Sequence, residues 1–223
     1  MTNALDSWFR FLGGSLCLDF VNTVGARVPG SEPGEGTQRF EVAREWLHGY
    51  EDLMAWARQA SVVDARQAER LLERARREPE SAASAFERAW ALREALYRLF
   101  AALPDGTPEE ADLALLNREV AAARAQQRLR PAARGLEWTW DEADVGSLDQ
   151  LVWRVVLSAS ELLTSGDLTR VRRCAGEECG WIFLDTTRNR TRRWCDMGDC
   201  GNAAKVRRFR ERQRRAARGE NPS

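Results

Sequence analysis

The sequence predicts an α+β protein: a mostly helical N-terminal domain with a few short strands, joined to a small cysteine-braced module near its C-terminal end. Three observations predict it. Helix-start signals followed by apolar residues three and four apart recur between residues 50 and 165. Short β-prone runs are scattered among them. Four of the five cysteines fall in two pairs of identical spacing, C-x4-C, with fifteen residues between the pairs. At 223 residues the chain is long enough for one medium domain and one small one. The expected division is 1–167, 168–218 and a disordered tail, 219–223.

Residues 7–24 alternate at Leu16, Leu18 and Phe20, with Gly13-Gly14 breaking the run. This predicts a strand, a tight turn and a second strand or short helix. Asp19, Asn22 and Thr23 are polar groups within this apolar stretch and must find hydrogen-bond partners. Two readings stand for them: they cap backbone and brace the first loop, or they line a pocket for a small-molecule effector. Gly25–Thr37 holds six Gly or Pro residues in thirteen and reads as a surface loop.

Two helical segments, Glu41–His48 and Tyr50–Ala60, are expected around Gly49, with Val42, Trp46, Leu47, Leu53, Met54 and Trp56 as apolar positions. Asp64-Ala-Arg-Gln67 resembles a capping box and opens a helix carrying Ala68, Leu71, Leu72 and Ala75. Pro79 starts the next helix, which Pro104-Asp-Gly106 ends. Thr107-Pro-Glu-Glu110 caps a helix running to about Gln127. Leu129–Ala132 and Leu136–Trp140 are predicted to pair as strands. Ser147-Leu-Asp-Gln150 is a further capping box, and Gly166 stops its helix. Asp167–Val171 is a short link, read as a strand.

The cysteine pairs, Cys174/Cys179 and Cys195/Cys200, carry the sharpest chemistry. Four thiolates close a tetrahedral shell around one structural zinc ion, and Gly176, Gly180, Gly198 and Gly201 supply the turns. Disulfides are the alternative. The N-terminus Met1–Arg10 lacks a basic start followed by an apolar core, so a cytoplasmic location with reduced thiols is expected. A catalytic metal needs an open position and a nearby acid or base. His48, the only histidine, is remote in sequence, so no enzymatic role is expected. Cys17 lies in an apolar run and reads as a buried small hydrophobe. Between the pairs, Trp181–Leu184 and Arg192–Trp194 read as a hairpin around Asp185–Arg190, followed by a basic helix, Gly201–Arg218. Cysteine turn, hairpin and helix together make a treble clef.

Charge is divided unevenly. Residues 168–218 hold 15 basic against 6 acidic residues, a formal +9, and residues 1–167 hold 19 against 27, a formal −8. Four bound thiolates and one Zn2+ bring the first figure to about +7. A basic module joined to an acidic one points to an anionic partner for the basic end. The residues that face it are read as Arg188, Arg190, Arg192 and Arg193 of the hairpin turn and Lys205, Arg207, Arg208, Arg210, Arg212, Arg214 and Arg215 of the helix. Val206, Phe209 and Trp194 are expected to pack inward.

Arg172-Arg173-Cys174, Cys179-Gly180-Trp181, Asp185-Thr186, Arg188-Asn189, Arg193-Trp194-Cys195 and Cys200-Gly201-Asn202 together resemble the CGNR-type zinc finger of bacterial regulators. Ala203 stands where that family's naming motif has arginine, and Arg207 or Arg208 is expected to substitute for it. Phe11-Leu-Gly-Gly-Ser-Leu-Cys-Leu-Asp-Phe-Val-Asn-Thr23 resembles the start of the ABATE domain that precedes such fingers. The resemblance implies a stress-induced transcription regulator: an α+β domain that senses a ligand, followed by a zinc finger that binds DNA. A single finger is small for a specific site, so a homodimer is expected. An RNA-binding or protein-interaction module is the alternative. No run approaches transmembrane length, and no membrane partner is expected.

Overall fold

A computed structural model describes residues 9–30, 40–103, 106–140 and 146–218. The elements, in order, are α1 (Leu16–Val21), β1 (Val24–Pro29), β2 (Phe40–Glu45), α2 (Tyr50–Gln59), α3 (Ala65–Arg77), α4 (Pro79–Ala102), α5 (Glu110–Ala125), β3 (Gln127–Pro131), β4 (Leu136–Trp140), α6 (Gln150–Ser165), β5 (Val171–Arg173), β6 (Ile182–Leu184) and α7 (Asn202–Ala217). The strands form three two-stranded antiparallel sheets, β1-β2, β3-β4 and β5-β6. No helix among the described residues is long and apolar enough to cross a membrane.

The long helix α4 is the centre of the N-terminal domain. Ala85, Ala89, Leu92, Leu96, Leu99 and Phe100 are buried along it against α1, α2, α3, α5 and α6. Small alanines let neighbouring helices approach, and each large buried apolar side chain contributes roughly 1.5–3 kcal/mol. α3 begins as expected: the Asp64 carboxylate accepts from the Gln67 amide at 2.7 Å. α4 has Pro79 at its first position, and α6 stops at Gly166. β3 pairs with β4 in the predicted arrangement, with Leu129 opposite Trp138.

Several expectations are corrected. Of the two forms expected after Gly13-Gly14, residues 16–21 take the short helix, while no strand forms over residues 9–12 before the turn; Cys17, Leu18, Phe20 and Val21 are all buried, and burial on every side erases any period. Gly25–Pro29 belongs to β1, not to a loop. Residues 40–45 form β2, not a helix, although Glu41, Ala43, Arg44 and Glu45 favour helix locally. Pairing with β1 decides the matter, through a register broken by a bulge near Ala26. Helix α5 starts at Glu110, not Thr107, and Glu109 at its cap makes no side-chain cap bond. Ser147 accepts from the Asp149 amide at 3.3 Å as a turn ahead of α6, and does not cap the helix. The expectations for Met1–Ser7, most of the 25–37 loop, the Pro104-Asp105 stop and the 219–223 tail fall outside the described residues.

Beneath the β1-β2 ribbon lies a buried ion network. Arg27 is 1% exposed and holds Glu94 at 2.7 and 2.9 Å; Arg93 is fully buried and holds Glu45 at 2.7 and 2.5 Å and Glu94 at 2.9 Å. Two guanidinium groups against two carboxylates leave no net charge buried. Burial works to raise both carboxyls, yet the arginine bonds outweigh it, and Glu45 and Glu94 lie below the ordinary glutamate value.

A candidate zinc centre built onto the N-terminal domain

Cys174 follows β5, Cys179 precedes β6, Cys195 follows the return segment and Cys200 sits in the single wide turn, Met197–Gly201, that opens α7. Their four sulfurs lie within 4.8 Å of one another. The Cys179–Cys195 and Cys195–Cys200 sulfurs are 3.5 and 3.7 Å apart. A tetrahedron of sulfurs about 2.3 Å from a zinc ion has edges of about 3.8 Å, so the four residues fit one ion. Backbone amides of Gly176 and Cys195 point at the Cys174 sulfur, at 3.5 and 3.3 Å, as suits a thiolate. Hydrogen bonding to Cys174 holds the Cys179 and Cys195 thiols up while Cys174 is drawn down. Four such groups ionise together only around a cation. Cys17 is buried in the main core and is not one of the four. His48 is exposed at the start of α2, facing Asp52 at 3.3 Å.

The hairpin differs from the expected one. β6 pairs with β5, with Arg173 opposite Ile182, so the first cysteine pair lies in the hairpin's own turn. The return segment bonds to that turn instead: the Ala175 amide donates to the Arg193 carbonyl at 2.8 Å. Asp185, fully buried, organises the bend. It accepts from the Thr187 hydroxyl and amide at 2.6 and 2.9 Å and from the Arg192 amide at 3.0 Å, and these bonds hold its carboxyl below the usual range.

The finger has no separate core. Val171 and Ile182 belong to the main apolar cluster, and Val24 shares a second cluster with Cys174, Trp181, Phe183 and Cys195. Trp181 packs edge-on against Trp46 at 5.9 Å and donates to the Val24 carbonyl at 2.9 Å. The Arg27 amide donates to the Cys179 carbonyl at 3.0 Å, and the Leu184 amide to the Gly13 carbonyl at 2.7 Å. Arg10 pairs with Asp196 and Asp199 of the second cysteine turn. The chain passes from one part to the other near residue 168, but packing runs across that point.

Asp19, Asn22 and Thr23 all serve this junction or the loop before it. Asp19 accepts from the Gly13 amide at 2.7 Å; Asn22 exchanges two bonds with Ile182; Thr23 donates to the Phe20 carbonyl at 2.7 Å. Asn22 and Thr23 are 2% and 1% exposed. All three thus hold hydrogen-bond partners within the protein.

The basic residues separate by what they touch. Arg192 is spent on the fold: its guanidinium reaches the Leu12, Leu184, Trp194 and Cys195 carbonyls and lies over Phe183. Arg190 is paired with Asp167 at 2.9 Å, and Arg207 with Glu177 at 3.0 Å. Arg193 lies over its neighbour Trp194, at 5.3 Å from the ring centre. Arg188, Lys205, Arg208, Arg210 and Arg212 are exposed and make no ion pair among the described residues. Ala203 is exposed in the first turn of α7, with Arg207 one turn further on. Val206 and Phe209 do not pack inward; they are 48% and 54% exposed, and Ala204 is the one buried residue of α7. Trp194 is partly buried against the finger's cluster. The residues that sequence reasoning missed are Arg10, Arg27 and Asp185, whose partners lie far off in the chain or, for Asp185, in the shape of a bend.

The fold and site define a helical domain bearing a closed four-cysteine finger on a shared core. Residues 14–166 match the family model described as "putative stress-induced transcription regulator", ABATE, and residues 170–213 match the CGNR zinc finger. The chain belongs to the ABATE family and carries a CGNR zinc finger at its C-terminal end. Comparison with curated proteins finds no match.

Proposed function

We propose that this protein is a DNA-binding transcription regulator whose finger presents α7 to the duplex. One observation carries the reading: α7 is a sixteen-residue helix held at its first turn and exposed along nearly all the rest. A helix exposed on nearly every side gains little packing energy from its own chain and has its surface free for a partner. Lys205, Arg208, Arg212 and Arg215 follow one another at three- and four-residue steps, a cationic stripe about 15 Å long. Such a stripe suits phosphates, while the shared core keeps the helix at a fixed angle. The same reading has the protein work in the cytoplasm.

Control by a ligand is part of the same reading. A cavity of about 510 Å3 opens between α4, β2 and the start of α5, lined among others by Phe40, Glu94, Tyr97, Arg98 and Asp112. Its walls lead to the finger. The Arg27 guanidinium lies 3.9 Å over the Tyr97 ring, and its backbone holds the Cys179 carbonyl. Arg173, beside Cys174, lies 4.3 Å over Phe40. A molecule that moves either ring shifts a group adjoining a zinc ligand.

Fluorescence anisotropy with duplex DNA and single-stranded RNA over a salt series tests the function. Duplex binding is expected to weaken with salt at a log–log slope of roughly 3 to 4 for four phosphate contacts. Arg208→Ala with Arg212→Ala is expected to lower that slope by about 2. Tight RNA binding without duplex preference would instead support the RNA-module alternative.

A further inference from the structure

The outward side of α7 carries an ordered pattern. At about 100° per residue, Val206, Phe209 and Gln213 stand about 140–200° round the helix axis from the buried Ala204. They form a narrow uncharged strip along the middle of that side. Lys205 and Arg212, the outer half of the cationic stripe, flank the strip at about 80–100° from Ala204; Arg210 and Arg214 flank it on the other edge, at about 240–280°. All seven residues are exposed. Arg207, partly buried on the inner side, takes the ion pairs of α7 among the described residues, with Glu177 and Glu211, and leaves the four flanking cations outside them.

We infer that this strip reads base edges in the major groove of duplex DNA, with Val206 and Phe209 seated on thymine methyl groups. The inference rests on the DNA-binding reading above and adds which side of α7 enters the groove and what it recognises there. Charge selects the occupant. Cations on both edges of an uncharged strip call for two lines of anions with an uncharged floor between them. The major groove has that layout: two phosphate strands about 12 Å apart, with base edges between. A helix about 10–12 Å across fills it. The minor groove, about 6 Å wide, does not admit the helix and shows no methyl group. Among the base-edge groups of the major groove, the thymine C5-methyl is the apolar one, and apolar side chains suit it. From Val206 to Gln213 the strip is about 10 Å long, the rise of about three base pairs. A lipid surface also attracts cations, but a helix lying on it buries an apolar face along its length. Here two apolar side chains give way to Gln213. A second copy of α7 sets arginines against arginines on both edges.

Duplexes selected from a randomised pool by the full-length, zinc-loaded protein test it. The selected sites are expected to carry thymine at one or two fixed positions. Deoxyuridine in place of such a thymine removes the methyl alone and is expected to weaken binding about fourfold. Val206→Ala with Phe209→Ala is expected to bind the thymine and deoxyuridine duplexes equally, with the salt slope of wild type, because no charge changes. Phe209→Leu, which keeps an apolar side chain, is expected to keep the preference. Both variants alter an exposed helix side and are expected to hold wild-type ellipticity. Selected sites without a fixed thymine, a deoxyuridine duplex bound as tightly as its thymine parent, or a difference that survives the double variant overturns this inference and leaves the DNA-binding reading standing. Absence of duplex binding, or binding to phosphatidylglycerol vesicles in its place, overturns both.

Discussion

Asn22 and Ile182 exchange two hydrogen bonds: the Asn22 amide donates to the Ile182 carbonyl at 2.7 Å, and the Ile182 amide donates to Asn22 Oδ1 at 3.0 Å. One side chain thus serves as a strand neighbour for β6, whose other side pairs with β5. The bonds join the end of α1 to the finger across 160 residues of chain. Asn22→Leu keeps the volume and leaves both Ile182 groups buried without partners, each costing about 1–3 kcal/mol. The variant is expected to melt several degrees below wild type, with faster hydrogen exchange at Ile182. An unchanged melting temperature would show that the junction does not depend on this pair.

Metal removal is expected to divide the finger within itself. Val171 and Ile182 lie in the main core, so β5-β6 stays attached without zinc. Helix α7 is held through Cys200, the buried Ala204 and the surface Arg207–Glu177 pair, and without metal it loses the first of these. Chelation, or Cys200→Ser, is expected to remove helical ellipticity equivalent to about sixteen residues while the N-terminal domain melts only slightly earlier. Retention of that ellipticity in metal-free protein would mean that α7 is stable by itself.

The four-cysteine cluster was legible in the sequence because spacing alone describes a site whose parts are close in the chain. Helices α2, α3, α4 and α6 were legible for the same reason: their caps, prolines and apolar spacings are local. β2 was not, since its residues favour helix and only β1, with Arg93 holding Glu45, makes them a strand. The hairpin partner of β6 was misplaced because Asp185 turns the following segment away from it. Arg192 looked like a phosphate contact because a count of charges does not show that its guanidinium is already committed to four carbonyls.

Burial pushes the Asp19 carboxyl up to about 6, against partial relief from the Gly13 and Leu12 amides. The folded protein therefore binds a proton here that the unfolded chain, near 3.8, has released. Stability attributable to Asp19 falls as pH rises from about 4 to 6 and stays low above it, by on the order of 2–3 kcal/mol. Glu45 and Glu94 act in the opposite sense, since their lowered values remove stability as pH falls below about 4.5. Asp19→Asn keeps an acceptor for the Gly13 amide and removes the titration. It is expected to raise the melting temperature at pH 7 and to flatten the stability profile between pH 4 and 6. A profile identical to wild type would assign that slope elsewhere.

Gly180 lies where the first cysteine turn meets β1, with φ of 66° and a would-be Cβ only 2.7 Å from the Arg27 Cβ and carbonyl oxygen. Alanine there meets both a left-handed backbone and a neighbour that is mostly backbone, so neither side gives cheaply. Because Arg27 also holds the Cys179 carbonyl, relief of the clash must move a zinc ligand or break that bond. Gly180→Ala is expected to cost about 2–4 kcal/mol and to weaken zinc binding at least tenfold in competition with a chromophoric chelator. The N-terminal helices, whose core is built from their own apolar residues, are expected to keep their ellipticity. If the variant holds zinc as tightly as wild type, the approach of β1 to the cysteine turn does not set the geometry of the metal site.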